Sequence, residues 1–226
     1  MNPNTFRHLS YGVYVITAWD GDRPTGCTAN SAMQITSDPA TIAVSINHNN
    51  YTNSLITKIG RFAISILSEE SDSALIGRFG FQSGKDTDKF AGIDYITADG
   101  LPVLSDTCGY ITCKVINKME TATHTVFLGE VSDAEISKGG DAMTYAYYHK
   151  VVKGRSPKNA PTYLPDEVIS EPSKTTQMVT SADDGCTPPG ETMYVCKVCG
   201  YERAAEPEDG YKCPICGVGK DKFAPM

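Results

Sequence analysis

The chain has 226 residues, 40% of them hydrophobic, enough for one large domain or for a medium domain beside a small one. Lysine and arginine total 20 against 27 aspartates and glutamates, and the net charge of −7 argues against a nucleic-acid partner, whose phosphates demand a basic face. No apolar run is long enough to span a bilayer, and the start, "MNPNTFRHLSYGVYVITAW", lacks the layout of an export signal, so the expected location is the cytoplasm.

Strand patterns dominate residues 1–164. "YGVYVITAW" (11–19) is rich in Val, Ile and aromatic residues and reads as a strand. The stretch "RPTGCTANSAMQITSDPATIAVSINHNNYTNSLI" (23–56) presents small hydroxyl and amide side chains. Thr28, Asn30 and Ser31 fall on one expected strand, and Ser45 and Asn47 on an adjacent one, "ATIAVSIN" (40–47). "TNSLITKIG" (52–60) reads as a helix capped by Thr52 or Asn53, with Leu55, Ile56 and Ile59 on one face. A helix N-terminus with free N–H groups is a seat for phosphate, although ordinary strand surfaces also carry Ser, Thr and Asn. "FAISIL" (62–67) is a further strand. "SEESDSALIGRFG" (68–80) reads as a helix with acidic residues in its first turn and Arg78 near its end, matching the helix dipole. "YITCKVIN" (110–117) and "HTVFLGEVSDAEI" (124–136) complete the strands. Many strands with few helices predict an antiparallel barrel or sandwich. No G-x-G-x-x-G opens a helix after a strand, which argues against a Rossmann nicotinamide fold. Cys27, Cys108 and Cys113 read as small buried hydrophobes.

Residues 165–192 are rich in Pro, Ser, Thr and Asp, carry Cys186, and read as a flexible linker. Such a segment spans roughly 30 Å as a random coil. From residue 193 a cysteine module begins. Cys196, Cys199, Cys213 and Cys216 form two C-x-x-C pairs, each followed by a glycine, Gly200 and Gly217, suited to a left-handed turn. In a reducing compartment such pairs hold metal rather than disulfides. Tetrahedral S4 coordination suits zinc or iron alike, and a zinc ribbon would equally staple a segment this short.

The flanking residues add to that reading. "YVCKVCGY" and "CPICGVGKDKF" resemble rubredoxin, with Tyr194, Tyr201, Tyr211 and Phe223 as the expected small apolar core, over a shorter span between the pairs. The resemblance implies one iron held by Cys196, Cys199, Cys213 and Cys216. Upstream, "GVYVIT", "GCTANSAMQITSDPATIAVSIN", "FAISIL", "GRFGFQSGKDTDKF", "HTVFLGEV" and "GRSPKNAPTY" resemble the flavin reductase family. That resemblance implies an FMN-binding split β-barrel over residues 1–164, mainly β with a few helices, followed by the small rubredoxin-like domain at 193–226. It further implies Thr28, Ala29, Asn30, Ser31, Ser45, Ile46 and Asn47 against the flavin ring and ribityl chain. Tyr51, Thr52 and Asn53 are then the phosphate candidates, and His124 the residue near flavin and nicotinamide. An ordinary hydrogen-bonded strand histidine is the competing reading of His124.

Nicotinamide releases two electrons as hydride, whereas an iron tetrathiolate accepts one, and a flavin converts between the two. The expectation is that NADH or NADPH reduces FMN, FMN reduces the iron, and the iron passes single electrons to a protein acceptor. The pairing of modules is similar to the high-molecular-weight rubredoxins, which implies an A-type flavodiiron protein, reducing nitric oxide or oxygen, as that acceptor. The barrel resemblance implies a homodimer. Two other readings stand beside this one: a reductase that releases free reduced flavin, and a flavin-free barrel whose zinc ribbon serves protein contacts.

Overall fold

A computed structural model describes residues 2–152, 160, 162 and 193–225. The segment expected to be a linker lies outside the described residues. In order, the chain forms β1 (Tyr14–Asp20), β2 (Arg23–Ala29), β3 (Ala32–Ser37), β4 (Ala40–Asn47), α1 (Tyr51–Ile59) and β5 (Arg61–Ile66). Then follow α2 (Ala74–Phe81), β6 (Tyr95–Ala98), β7 (Leu101–Leu104), β8 (Gly109–Glu120), β9 (His124–Ile136) and α3 (Tyr145–Lys150). The tail adds β10 (Met193–Cys196), β11 (Glu202–Ala204) and β12 (Phe223–Pro225). The mainly β class with few helices is as expected.

The large sheet has seven strands in the order β2-β1-β5-β8-β9-β4-β3, and each neighbouring pair is antiparallel. Thr28 and Ser45 therefore do not lie on adjacent strands, as the sequence suggested. β2 is one edge, and β4 lies next to the opposite edge. The turn at Asn30 and Ser31 joins the two edges, where Ser31 Oγ donates to Ser45 O at 2.9 Å and Ser45 N donates to Ser31 O at 3.2 Å. The sheet thus curls until its two ends meet at this turn. Alternate side chains from the strands fill the interior with Ile16, Val44, Ile46, Phe62, Ile64 and Phe127, closed beneath by Leu55 and Ile56 of α1. Cys27 and Cys113 are buried in this core, whereas Cys108 is half-buried with its thiol directed at Gly140 O.

Asn50, rather than Thr52 or Asn53, caps α1, its Oδ1 accepting from Thr52 N at 3.1 Å. Gly60 ends the helix in the left-handed region (φ 68°), donating to Ile56 O at 2.8 Å. A methyl at Gly60 would meet nothing within 4 Å. Gly60→Ala should therefore cost only backbone strain, about 1 kcal/mol, read as a lower Tm with unchanged flavin and iron content.

α2 starts at Ala74, later than expected, because the acidic residues precede it; Asp72 Oδ1 accepts from Ala74 N at 2.9 Å. Its far end is fixed to β2 by Lys89, a lysine only 2% exposed, whose ammonium donates to Gly26 O at 2.9 Å and Phe79 O at 3.0 Å. α3 is capped by Thr144, whose side chain accepts from Tyr147 N. Both helices pack together through Leu75, Ile76, Phe79, Met143 and Tyr148.

Candidate functional site

Beside the turn that joins the sheet edges lies a cleft lined by Thr28, Ala29, Asn30, Ser31, Ser45, Ile46, Asn47 and His124 from the strands and their turn. The opposite wall is helical: Ile76 and Gly80 of α2, Tyr145 and Tyr148 of α3. Every lining residue is neutral or a histidine, so its polar contacts are hydroxyls, amides and backbone groups. Thr28 Oγ1 donates to Ile76 O at 3.2 Å, tying the β2 wall to α2. Asn30 Nδ2 donates to Thr162 Oγ1 at 2.9 Å, and that hydroxyl donates to Tyr145 OH at 2.9 Å, so residues beyond α3 close over the same end. His124 is the cross-strand partner of Asn47, and its Nδ1 lies 2.8 Å from Thr123 Oγ1.

The structure places the three phosphate candidates differently. Tyr51, Thr52 and Asn53 are not among the residues lining this cleft, whereas Asn50 is. Thr52 and Asn53 are buried, and Asn53 Nδ2 donates to Ile46 O at 2.9 Å, holding β4 to α1. The Thr52 and Asn53 N–H groups of the first turn of α1 are taken up by Asn50 itself, through its side chain and its carbonyl. The helix start is self-capped there, and the residue that does the capping faces the cleft.

In the tail, Cys196, Cys199, Cys213 and Cys216 are all buried, and their sulfurs lie within 4.8 Å of one another. Cys196 Sγ and Cys216 Sγ are 3.6 Å apart, and Cys199 Sγ and Cys213 Sγ 3.4 Å. A metal held about 2.3 Å from four tetrahedral sulfurs sets them about 3.8 Å apart, so the cluster fits such an ion. Gly200 (φ 76°) and Gly217 (φ 72°) adopt the left-handed turn expected of each pair. Tyr201 and Phe223 pack on the cluster, and Tyr211 meets Phe223 edge-on at 5.5 Å. Two residues from outside the tail pack there as well: Phe81 of α2 and Val152 beyond α3.

Residues 6–155 match the family described as "Flavin reductase like domain", and residues 194–224 match "Rubrerythrin, rubredoxin-like domain". The chain belongs to the flavin reductase-like family. Its relatives include a high molecular weight rubredoxin of Moorella thermoacetica, 41% identical over 99% of both chains. A ferric-chelate reductase (NAD(P)H) of Archaeoglobus fulgidus is 38% identical over 73% of this chain and 98% of its own length. Among solved structures, the NADH:FAD oxidoreductase SgcE6 of Streptomyces globisporus is 25% identical with a TM-score of 0.58, covering 62% of this chain and 84% of that one.

Membership in the flavin reductase-like family implies a bound flavin, FMN or FAD, and a rubredoxin-like domain with four cysteines implies one iron. The neutral donor set of the cleft suits a flavin, a flat ring with polar edges. Sequence reasoning missed the helical wall of this flavin reductase-like site. "TYAYYHK" carried a usable signal, since Thr144 stands one residue before an aromatic run that begins with Tyr145, spaced to put Tyr145 and Tyr148 on one face. It also missed Gly77, whose reason lies in the tail. A methyl at Gly77 would overlap the Ile215 carbonyl and come within 2.8 Å of Cys216 Cα.

Proposed function

We propose that this chain oxidises NAD(P)H through FMN and delivers single electrons, by way of an iron at Cys196, Cys199, Cys213 and Cys216, to a protein acceptor. The observation that carries this reading is the shared wall. α2 turns Ile76 and Gly80 to the cleft and Phe81 to the thiol cluster. When bound, a flavin supplies the conversion of hydride to single electrons, and a tetrathiolate iron supplies a one-electron store. Thr28, Ala29, Asn30 and Ser31, with Ser45, Ile46 and Asn47, are the residues we assign to holding the flavin, and Asn50 replaces Tyr51, Thr52 and Asn53 at its phosphate end. His124, opposite Asn47, is assigned to orient the incoming nicotinamide at the cleft mouth. The helical wall of Ile76, Tyr145 and Tyr148 keeps water from the side that faces the iron.

Residues 1–164 form the flavin unit in this reading and 193–226 the iron unit, joined by 165–192. The acceptor is taken to be a flavodiiron protein that reduces nitric oxide or oxygen, on the likeness to high-molecular-weight rubredoxins. A homodimer is supported by apolar side chains left exposed on β3, β8 and β9: Met33, Ile35, Ile116, Met119 and Ile136. The proposed location is the cytoplasm; no helix among the described residues is long and apolar enough to cross a membrane.

Anaerobic titration of the intact protein with NADH, followed at the absorbance of both centres, tests the whole route. Flavin and ferric iron should both bleach, with NADH consumed in proportion to the electrons each accepts. Bleaching of neither would rule out the nucleotide as donor.

A further inference from the structure

The two turns that carry the cysteines are built alike and faced differently. Cys196 N donates to Tyr201 O at 2.8 Å and Gly200 N to Cys196 O at 2.7 Å; Cys213 N donates to Val218 O and Gly217 N to Cys213 O, both at 2.8 Å. Val198 and Ile215 therefore occupy equivalent places, each just before the second cysteine of its pair. Their surroundings are opposite. Val198 is 41% exposed, whereas Ile215 is 1% exposed.

Ile215 is buried because its backbone rests directly on α2 at Gly77. Glycine inside a helix is unfavourable relative to alanine, and here only its missing side chain lets the two backbones meet. The neighbours of Gly77 on α2 complete the arrangement: Ile76 and Gly80 line the cleft, and Phe81 packs on the cysteines. From α3, Tyr148 lines the cleft and is buried. One helix thickness of protein separates the cleft from the second cysteine pair. The first pair, Cys196 and Cys199, turns its Val198 to solvent.

We infer that the tail is a relay with separate ports: the second pair, seated by Ile215 on Gly77, takes the electron from the barrel, and the first pair, through Val198, hands it to the acceptor. This rests on the proposed function above. One electron enters and reduces ferric to ferrous iron, the same electron leaves to the acceptor, and no bond forms or breaks; NAD(P)H is the ultimate reductant. Delivery needs no undocking, because the outgoing face is already free of the barrel. The occupant that fits it is a protein surface with an apolar contact and a carboxylate beside it. Lys197, exposed beside Val198, has no ion pair among the described residues, in a chain whose net charge of −7 repels an acidic partner elsewhere.

The test uses the full chain loaded with flavin and iron, with the flavin reduced by light and EDTA, so that it does not depend on the nucleotide. A purified flavodiiron protein serves as the acceptor probe. Gly77→Ala improves helix propensity while displacing Ile215, so an effect on docking cannot be put down to a weakened helix. Gly77→Ala should slow iron reduction at least tenfold with flavin reduction within twofold of the parent. Hydrogen exchange of the 213–217 peptide should rise, with iron content and the ferric spectrum unchanged. Val198→Glu should do the reverse, leaving iron reduction within twofold and slowing transfer to the flavodiiron protein at least tenfold. Unchanged iron reduction and exchange in Gly77→Ala, or Val198→Glu slowing iron reduction as much as Gly77→Ala, would overturn the assignment. Light-driven iron reduction that proceeds while NADH bleaches nothing would instead sink only the choice of donor.

Discussion

Cys196→Ala should cost the protein its iron, the fold of its tail and its transfer to a protein acceptor, while the barrel goes on accepting electrons. The reason is the composition of the tail's interior. The buried members of its core cluster are the four cysteines and Ile215, and the hydrophobic residues that pack against them are only partly covered. A segment this short cannot bury enough apolar surface to order itself. The three strands add little, since β11 and β12 have three residues each. Binding of a metal to four thiolates supplies about 10–16 kcal/mol in comparable small sites, so the metal is the core. Removing one ligand from β10, where Cys196 pairs with Phe223, breaks the sheet and the site together. Metal analysis should return no iron, the ferric absorbance should vanish, and trypsin should cut within the tail. Flavin bleaching by NADH should persist. A tail that resists trypsin without metal would show that its docking on α2, not the ion, holds it together.

The sequence made the strands legible where burial imposes an alternating or continuous apolar run. "ATIAVSIN" is β4 and "HTVFLGEVSDAEI" is β9, residue for residue. It failed where local composition and tertiary role diverge. The strand expected to carry Thr28, Asn30 and Ser31 is β2, but it runs Arg23–Ala29, leaving Asn30 and Ser31 in the turn and taking in Pro24 and Gly26, residues that normally argue against a strand and are tolerated at a sheet edge. β3 is almost wholly exposed and has no apolar face to reveal it. The cap of α1 was placed too late because Thr52 and Asn53 are also capping types, and only geometry shows that Asn50 performs the role. The thiol cluster was fully legible, since its chemistry resides in spacing. The strand wall of the cleft could be read through family likeness, but the helical wall could not. Its residues are assembled from α2 and α3, and their meaning depends on the tail that packs behind them. Gly77 is the clearest instance: its partner, Ile215, lies far away in the chain.

Lys89 is the other position whose role is invisible in "GKDTDKF", where a lysine among polar residues reads as solvated surface. Burial lowers its pKa from 10.5 to about 8, while proximity to Cys27 works the other way. A displacement of this size corresponds to about 3 kcal/mol between the two charge states. Below pH 8 the amine is protonated both folded and unfolded, so the folded chain carries the full cost of the buried charge. Between pH 8 and 10.5 the folded chain has released a proton that the unfolded chain still holds. Stability therefore rises with pH across that window, by up to about 3 kcal/mol from this group, and levels off above it. Cys27 opposes this trend, because burial raises its thiol pKa and the unfolded thiol ionises first. Comparison with Lys89→Met separates the two. The parent should gain stability relative to the variant between pH 7 and 9.5, as read from far-ultraviolet unfolding midpoints. The Lys89 Cε resonance should titrate near pH 8. A constant difference between parent and variant would mean that the two carbonyls, Gly26 O and Phe79 O, hold the ammonium charged as well as water does. The outcome bears on function because this one amine fixes the end of the helix that forms the back wall of the cleft and the seat of the tail.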